Sequence, residues 1–126
     1  MPVFLDPAPE QIMEIVNFPA NTPLQMLNLL RFKKEKNAEG HDGEAQYSIY
    51  MQAVMPFIAN AKAKLLYAGK VSASIIGPTE KEWDKVLIVE YPDKMSFINM
   101  SRAEGFPSEL RNAALEDSRL ILCTPG

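Results

Sequence analysis

The residue with the clearest chemical potential is an amide within an apolar run. Asn28 lies in the segment 24–32, whose alternation predicts a β-strand. Alternate side chains of a strand share a face, and those on the face of Asn28 are apolar: Leu24, Met26, Leu30 and Phe32. A buried amide without a hydrogen-bond partner costs about 1–3 kcal/mol. We therefore predict either a catalytic and ligand-binding amide that orients a carbonyl, or an amide satisfied by neighbouring backbone or by a tyrosine.

Arg31 lies on the opposite face of the same predicted strand. A guanidinium can hold a carboxylate through two hydrogen bonds, so Arg31 is a candidate ligand-binding residue. The alternative, which we favour, is an ion pair with an Asp or Glu of this chain or of a partner chain. Asn28 and Arg31 can line one pocket only if the strand bends.

Two tyrosines lie three residues apart in a segment with helical spacing. Tyr47 and Tyr50 occupy one side of a helix predicted at 44–63, so their hydroxyls can converge near the mouth of a cleft. Either hydroxyl could then donate a hydrogen bond or transfer a proton, and Tyr50 could also bind a ligand. The alternative is that both rings belong to the core.

Trp83 opens the third predicted strand after a turn-rich segment at 77–83. Tryptophan is enriched at binding sites and interfaces, so we predict a ligand-binding role for Trp83, with plain packing as the alternative. Its neighbour Asp84 is expected to pair with Lys81 or Lys85.

Histidine and cysteine each occur once in the sequence. His41 lies among glycines and charged residues in a predicted loop at 34–43, which indicates an exposed side chain. A haem or metal site would rest on this histidine alone, so we expect no cofactor and no metal site. Cys123 lies in an apolar strand and is expected to be a buried, inert thiol.

Composition narrows the class of protein. The chain has 126 residues and a formal charge of −3, without an uninterrupted basic block, which argues against nucleic-acid binding. The apolar runs are too short for a membrane span, and the N-terminus lacks the pattern of a signal peptide. With a single cysteine, these features favour the cytoplasm. We predict one domain at 1–126, with a helix and linker at 1–22 and the main fold at 23–126.

The hydrophobic pattern predicts a leading helix followed by a β-α-β-β-α-β order. Asp6 and Pro7 are typical of the N-cap and first residue of a helix ending at Asn17, and Pro56 predicts a kink or break in the main helix. The other predicted elements are strands at 24–33, 65–76, 84–91 and 119–124, and short helices after Pro92 and at 108–117. This order predicts an α+β, ferredoxin-like fold with a four-stranded antiparallel sheet and helices on one face.

The sheet face opposite the helices needs a cover. Leu27 and Leu29 make that face apolar, and a large bare apolar face is unusual in a monomer. We favour a homodimer that packs two sheets face to face. The alternative is a monomer in which the leading helix covers this face.

Several spaced motifs within residues 24–124 resemble a known family. The chain is similar to the domain-of-unknown-function family numbered thirteen-thirty, of the dimeric α+β barrel superfamily. The residues that carry this resemblance are Met26 to Phe32, Tyr47, Tyr50, Pro56, Tyr67 to Lys70, Trp83, Asp84, Glu90 to Pro92, Phe97 and Met100. The resemblance implies the fold, a dimer, and a pocket between the sheet and the helices, but no settled activity.

Three functional hypotheses follow. The first is a small cofactor-independent enzyme of isomerase or oxygenase type, acting on a small hydrophobic organic acid through Asn28 and Tyr47 or Tyr50. The second is a non-catalytic or stress-related dimeric module that binds a small molecule in the same pocket. The third is haem binding through His41.

Overall fold

The computed structural model describes residues 2–125. A leading helix is followed by four strands and three further helices in the predicted order, including the two short helices predicted before the last strand. The elements are α1 (Pro9–Val16), β1 (Leu24–Phe32), α2 (Gly43–Asn60), β2 (Lys64–Lys70), β3 (Lys85–Tyr91), α3 (Lys94–Ser101), α4 (Ser108–Ala114) and β4 (Leu115–Cys123). No helix in this part of the chain is long and apolar enough to span a membrane.

The four strands form one antiparallel sheet in the order β2-β3-β1-β4. β1 is central and pairs with both β3 and β4, so that Asn28 lies opposite Leu87 on one side and Leu120 on the other. This arrangement confirms the predicted ferredoxin-like α+β fold.

The face of the sheet that meets the helices carries the core. One cluster, called cluster one, joins β1 to α2 and α4 and contains Leu30, Phe32, Tyr47, Tyr50, Val54, Leu87, Ala114 and Leu115. A second, called cluster two, lies towards α3 and contains Leu24, Met26, Ala61, Val89, Tyr91 and Met100. Phe57, Ile58 and Phe106 pack against both clusters, so the core is continuous from end to end.

The start of α2 is fixed by a cap and by a close backbone contact. The Asp42 carboxylate accepts a hydrogen bond from the Ala45 N–H at 3.0 Å, as an N-cap residue does. The Gly43 N–H donates to the Lys33 carbonyl at 2.8 Å, and a Cβ on Gly43 would collide with backbone atoms of Lys33 and Ala114. Glycine is therefore needed where α2 crosses the end of β1 and α4.

The opposite face of the sheet, called the outer face, carries apolar side chains without a covering layer. Leu27 pairs with Ile88 and Ile121, and Leu29 pairs with Val86, so these residues form adjacent rows. Tyr67 of β2 continues the row beside Ile88. Ile121 and Tyr67 are 43% and 54% exposed.

The N-terminal segment lies along β4 and continues onto the helix side of the sheet. The Phe4 carbonyl accepts from the Ser118 N–H at 3.0 Å, and further along the chain Ile15 and Phe18 pack against cluster two. Because cluster two belongs to the helix side, α1 does not cover the outer face, as the monomer alternative required.

Three predicted boundaries are wrong. α1 begins at Pro9 rather than Pro7, and Asp6 accepts a hydrogen bond from Asn112 instead of capping a helix. β2 ends at Lys70 rather than at residue 76, and β4 begins at Leu115, where helix was predicted. Pro56 lies inside α2, which continues to Asn60, so the predicted alternative of a break is wrong and the kink stays a prediction.

Candidate functional site

The first turns of α2 place two tyrosines side by side in the core. Tyr47 and Tyr50 are 3% and 7% exposed, and their ring centroids lie 5.2 Å apart. The ring of Tyr47 also packs against Phe32 of β1, at 5.5 Å between centroids. The two tyrosines are three positions apart on α2 and so share one side of the helix, and their burial agrees with the predicted alternative that both rings belong to the core.

A third buried tyrosine approaches from the sheet. Tyr91, at the end of β3, packs edge-on against Phe97 with centroids 5.0 Å apart. Burial raises the pKa of the Tyr91 phenol, and the nearby Tyr50 raises it further. Tyr50 thus raises the pKa values of both Tyr47 and Tyr91.

Burial also raises the pKa values of Tyr47 and Tyr50. For Tyr47, the neighbouring Tyr50 adds to the effect of desolvation, while the Arg111 guanidinium opposes it. For Tyr50, desolvation is again the main cause and Arg111 again lowers the pKa. All three phenols therefore stay protonated at neutral pH and can donate hydrogen bonds, but they cannot serve as general bases there.

Arg111 enters this site from α4. Its Nη1 donates to the Leu5 carbonyl at 3.2 Å, and the side chain is half-buried. It is the cation whose charge acts on Tyr47 and Tyr50. We call Tyr47, Tyr50, Tyr91 and Arg111 together the tyrosine seam.

Asn28 lies on β1 at the boundary between the two clusters. Met26 of cluster two and Leu30 of cluster one flank it on the same face. Its Nδ2 donates to the Met26 carbonyl at 3.3 Å, which agrees with the predicted alternative of an amide bonded to neighbouring backbone. The residue is half-buried, and its Oδ1 forms no hydrogen bond within residues 2–125 but is not among the buried atoms left without a partner, so it is open to solvent.

Arg31 forms the predicted ion pairs, on the face opposite Asn28. Its Nη2 lies 3.4 Å from Asp117, and its Nε lies 3.4 Å from Glu116 without the geometry of a hydrogen bond. Asp117 also receives Arg119 at 2.8 Å. Arg31 is therefore engaged by this chain's own carboxylates.

Trp83 lies beside this ion-pair cluster. The guanidinium carbons of Arg31 and Arg119 are 5.8 Å and 5.0 Å from the indole ring. The neighbouring Asp84 pairs with Lys81 at 3.6 Å, as predicted, and also accepts from the Phe32 N–H at 2.9 Å. Trp83 is thus fixed at the outer-face end of β3, away from the tyrosine seam.

Two surface hollows flank the sheet and the helices. One, called the outer cavity, has a volume of about 220 Å³ and lies between Leu29, Val86, Trp83 and the β2–β3 loop. The other, of about 380 Å³, is a groove between the end of α2 and α3. Asn28 lines neither of them.

Solved structures show what the chain is similar to. Its fold matches a Rhodopseudomonas palustris protein of unknown function, RPA0582, with a TM-score of 0.89 and 30% sequence identity over 98% of both chains. The chain belongs to the family of RPA0582. A structure of methylated RPA0582 matches with a TM-score of 0.88 and 31% identity, over 99% of this chain and 96% of that one.

A more distant structure extends the likeness in fold. SnoaB, a cofactor-independent oxygenase from Streptomyces nogalater, matches with a TM-score of 0.56 and 15% identity, over 83% of this chain and 94% of its own. This likeness concerns the fold alone. No family model matches the chain, and no curated protein matches it.

The remaining candidate residues take no part in the seam. His41 is half-buried rather than exposed, because its backbone closes the loop with Asn37 through two hydrogen bonds. Cys123 is half-exposed rather than buried, since β4 places it opposite Gln25 on the outer face. Within residues 2–125 no three His, Cys, Asp or Glu side chains are grouped for a metal ion.

Sequence reasoning named two of the four seam residues, Tyr47 and Tyr50, as candidates. Tyr91 was missed as a site residue, although its alternation with Leu87 and Val89 places it on the helix face. Arg111 carried no such signal, because its approach to the seam depends on how α4 packs against α2. The seam groups three neutral phenols with one nearby cation, and these donors suit the oxygens of an organic acid.

Proposed function

We propose that this chain is a dimeric small-molecule-binding protein that recognises a small hydrophobic organic acid at the tyrosine seam. The observation that carries the proposal is the pair of buried phenols of Tyr47 and Tyr50, whose ring centroids lie 5.2 Å apart, with the Arg111 guanidinium close enough to lower their pKa values. Neutral phenols and a guanidinium all donate hydrogen bonds, and carboxylate or carbonyl oxygens accept them. Phe32 and Val54 pack in the same cluster and would surround the rest of such a ligand once the packed core opens to admit it.

Binding is favoured over proton abstraction because no phenol of the seam is ionised at neutral pH. A second candidate is a cofactor-independent enzyme of isomerase or oxygenase type. The amide of Asn28, half-buried and with Oδ1 unpartnered among residues 2–125, favours it. In that case Asn28 orients a carbonyl group and Tyr47 or Tyr50 acts as the acid. SnoaB, described as a cofactor-independent oxygenase, supplies a precedent for such chemistry on this fold.

The seam is tested by calorimetric titration with benzoate and 3-phenylpropionate. We expect saturable binding that Tyr50→Phe weakens about tenfold, the equivalent of one hydrogen bond to a charged group. Tyr67→Phe is the matched control, because it makes the same change on the outer face and should bind like the wild type. Equal affinities for the Tyr50 and Tyr67 variants would refute the seam. Turnover of a bound acid that is lost in Asn28→Ala would favour the enzyme.

The proposed dimer joins two outer faces. Its support is the row of Leu27, Ile88, Ile121 and Tyr67, which the chain's own helices leave uncovered. Burying such a surface against a second copy removes apolar area from water. The dimer also fits the resemblance to the domain-of-unknown-function family numbered thirteen-thirty. We propose that the chain is a member of that family, on the residues named above. We also propose a cytoplasmic location.

Sedimentation tests the dimer with one pair of variants. Ile88→Glu puts a charge in the middle of the outer face and should convert a dimer to a monomer. Ile49→Glu makes the same substitution on the exposed side of α2, where the isoleucine is 41% exposed, and should leave the mass unchanged. A wild-type protein that sediments as a monomer at all concentrations would exclude the dimer.

A further inference from the structure

The N-terminal segment reaches the tyrosine seam through a single residue, Leu5. Its side chain is half-buried and packs against cluster one, which contains Tyr47 and Tyr50. The carbonyl of the same residue accepts the hydrogen bond from Arg111 Nη1 at 3.2 Å. One leucine therefore supplies both an apolar group to the core cluster and an oxygen to the cation of the seam.

These two contacts are the ones that a small hydrophobic acid would make. A carboxylate would replace the Leu5 carbonyl on Arg111, and a branched alkyl chain would replace the leucine side chain. A hydrogen bond from a guanidinium to a carboxylate is stronger than one to a neutral carbonyl, so a free acid is the better acceptor. Within residues 2–125 the Arg111 guanidinium forms no ion pair with a carboxylate of the chain itself. Its charge therefore suits an anionic ligand.

The chain between Phe4 and α1 is weakly held. It has no regular secondary structure, and the bond that Asp6 accepts from Asn112 at 3.1 Å lies at an exposed position. The helix α1 that follows has no buried residue. Segments with few buried contacts open at a lower free energy than the whole protein unfolds. Leu5 can therefore leave cluster one while the sheet stays folded.

We propose that Leu5 is a built-in occupant of the ligand site and that an acid of similar shape displaces it. This inference rests on the acid-binding function proposed for the seam, and it adds the shape of the acid. Removing the backbone nitrogen from a leucyl group leaves the carbon skeleton of 4-methylpentanoate. The ligand class is therefore a short, branched aliphatic carboxylic acid.

Calorimetric titration of the full chain with 4-methylpentanoate tests the displacement. An intramolecular competitor lowers the apparent affinity in proportion to the fraction of molecules in which it is displaced. Leu5→Ala removes most of the competing side chain and should therefore tighten binding of the acid roughly three- to tenfold. Val3→Ala is the matched control, because it shortens an apolar side chain of the same segment that is 54% exposed, and it should bind like the wild type.

Methyl NMR of the wild-type protein follows the displacement without relying on the folding of a variant. The Leu5 methyl signals, identified by their absence from Leu5→Ala, should move to the positions of exposed leucine methyls as the acid saturates the protein. The methyl signals of the fully buried Leu30 should stay in their core positions.

The outcomes separate the built-in occupant from the acid site itself. Saturable binding with the same affinity in Leu5→Ala and wild type, or Leu5 methyl signals that do not move, would overturn the occupant and leave acid binding standing. Binding to Leu5→Ala but not to the wild type would support both proposals. The absence of binding to either protein would overturn both.

Discussion

Asp117 ties the N-terminal segment and two arginines to the start of β4, so its loss should be costly. The side chain is 3% exposed and accepts from the Phe4 N–H and from Arg119, each at 2.8 Å, with Arg31 at 3.4 Å. Breaking a fully buried ion pair costs about 3–5 kcal/mol. The two arginine side chains are 28% and 37% exposed, so solvent screens part of that cost. We expect Asp117→Asn to lower the free energy of unfolding by about 2–3 kcal/mol.

The stability that Asp117→Asn loses should depend on pH, and the direction of that dependence follows from the pKa of Asp117. Desolvation raises the pKa of Asp117, but the hydrogen bonds from Phe4, Arg119 and Ser118 outweigh it and hold the pKa below its ordinary value. A depressed pKa stabilises the fold above the unfolded-state pKa, about 3.9, and the stabilisation is lost as the pH falls through the folded-state value. The difference between wild type and Asp117→Asn should therefore be full at pH 7 and shrink below about pH 4.

Urea unfolding at several pH values measures both effects. Glu116→Gln is the matched control, since this neighbour also faces Arg31 at 3.4 Å but is 49% exposed. An exposed ion pair contributes about 0–1 kcal/mol, so this variant should unfold close to the wild type. Equal losses for the two variants, or a loss in Asp117→Asn that does not change with pH, would refute the account.

Three further predictions concern the core and the crossing of α2. Leu30→Ala, at a fully buried position, should lower the free energy of unfolding by about 2–5 kcal/mol, whereas Leu66→Ala, at 48% exposure, should cost much less in the same urea titration. Gly43→Ala should cost about 1–3 kcal/mol or more, because its Cβ meets backbone that cannot rotate away, and thermal unfolding measures the loss. In an alkaline absorbance titration, Tyr47 and Tyr91 should stay protonated above pH about 10 in the folded protein. The free energy of unfolding should begin to fall above the unfolded-state pKa of about 10, where only the unfolded chain loses these protons, and it should go on falling until the pH has passed their raised pKa values.

The fold was predictable because its signals are local. Alternation along β1 places Leu24, Met26 and Leu30 on one face and Leu27 and Leu29 on the other, and the structure shows both rows. Helical spacing in α2 likewise brings its tyrosines to the core. Each pattern lies within one strand or within about two turns of helix. It can therefore be recognised without knowing which distant residues pack against it.

The boundaries that failed depend on distant partners. Residues 71–76 have strand composition, but β3 begins at Lys85, which already pairs with Lys70, so beyond this point β2 has no partner. At the other end, residues 113–118 contain good helix formers and no glycine or proline. Pairing of Phe32 with Leu115 and of Arg31 with Asp117 draws these residues into β4. Tertiary pairing thus overrides helix propensity there.

The same distinction divides the residues of the site. The faces of Asn28 and Arg31 follow from strand alternation and were predictable. The carboxylate that holds Arg31 was not, because Asp117 reaches it only through the register of β1 with β4. Arg111 reaches the seam only through the packing of α4, which no local pattern encodes.

The position of α1 changes how the outer face must be explained. From sequence, a helix at the N-terminus and a second copy of the chain were competing covers for Leu27 and Leu29. The structure places Ile15 and Phe18 against cluster two, on the other side of the sheet. Within residues 2–125 the helices therefore leave the apolar outer face uncovered, and only its end at Leu29 and Val86 lies beside the β2–β3 loop. Its rows of β-branched and aromatic side chains suit another sheet. The outer face of a second copy of the chain would supply that sheet. Whether the protein associates with itself is therefore the simplest test of this surface.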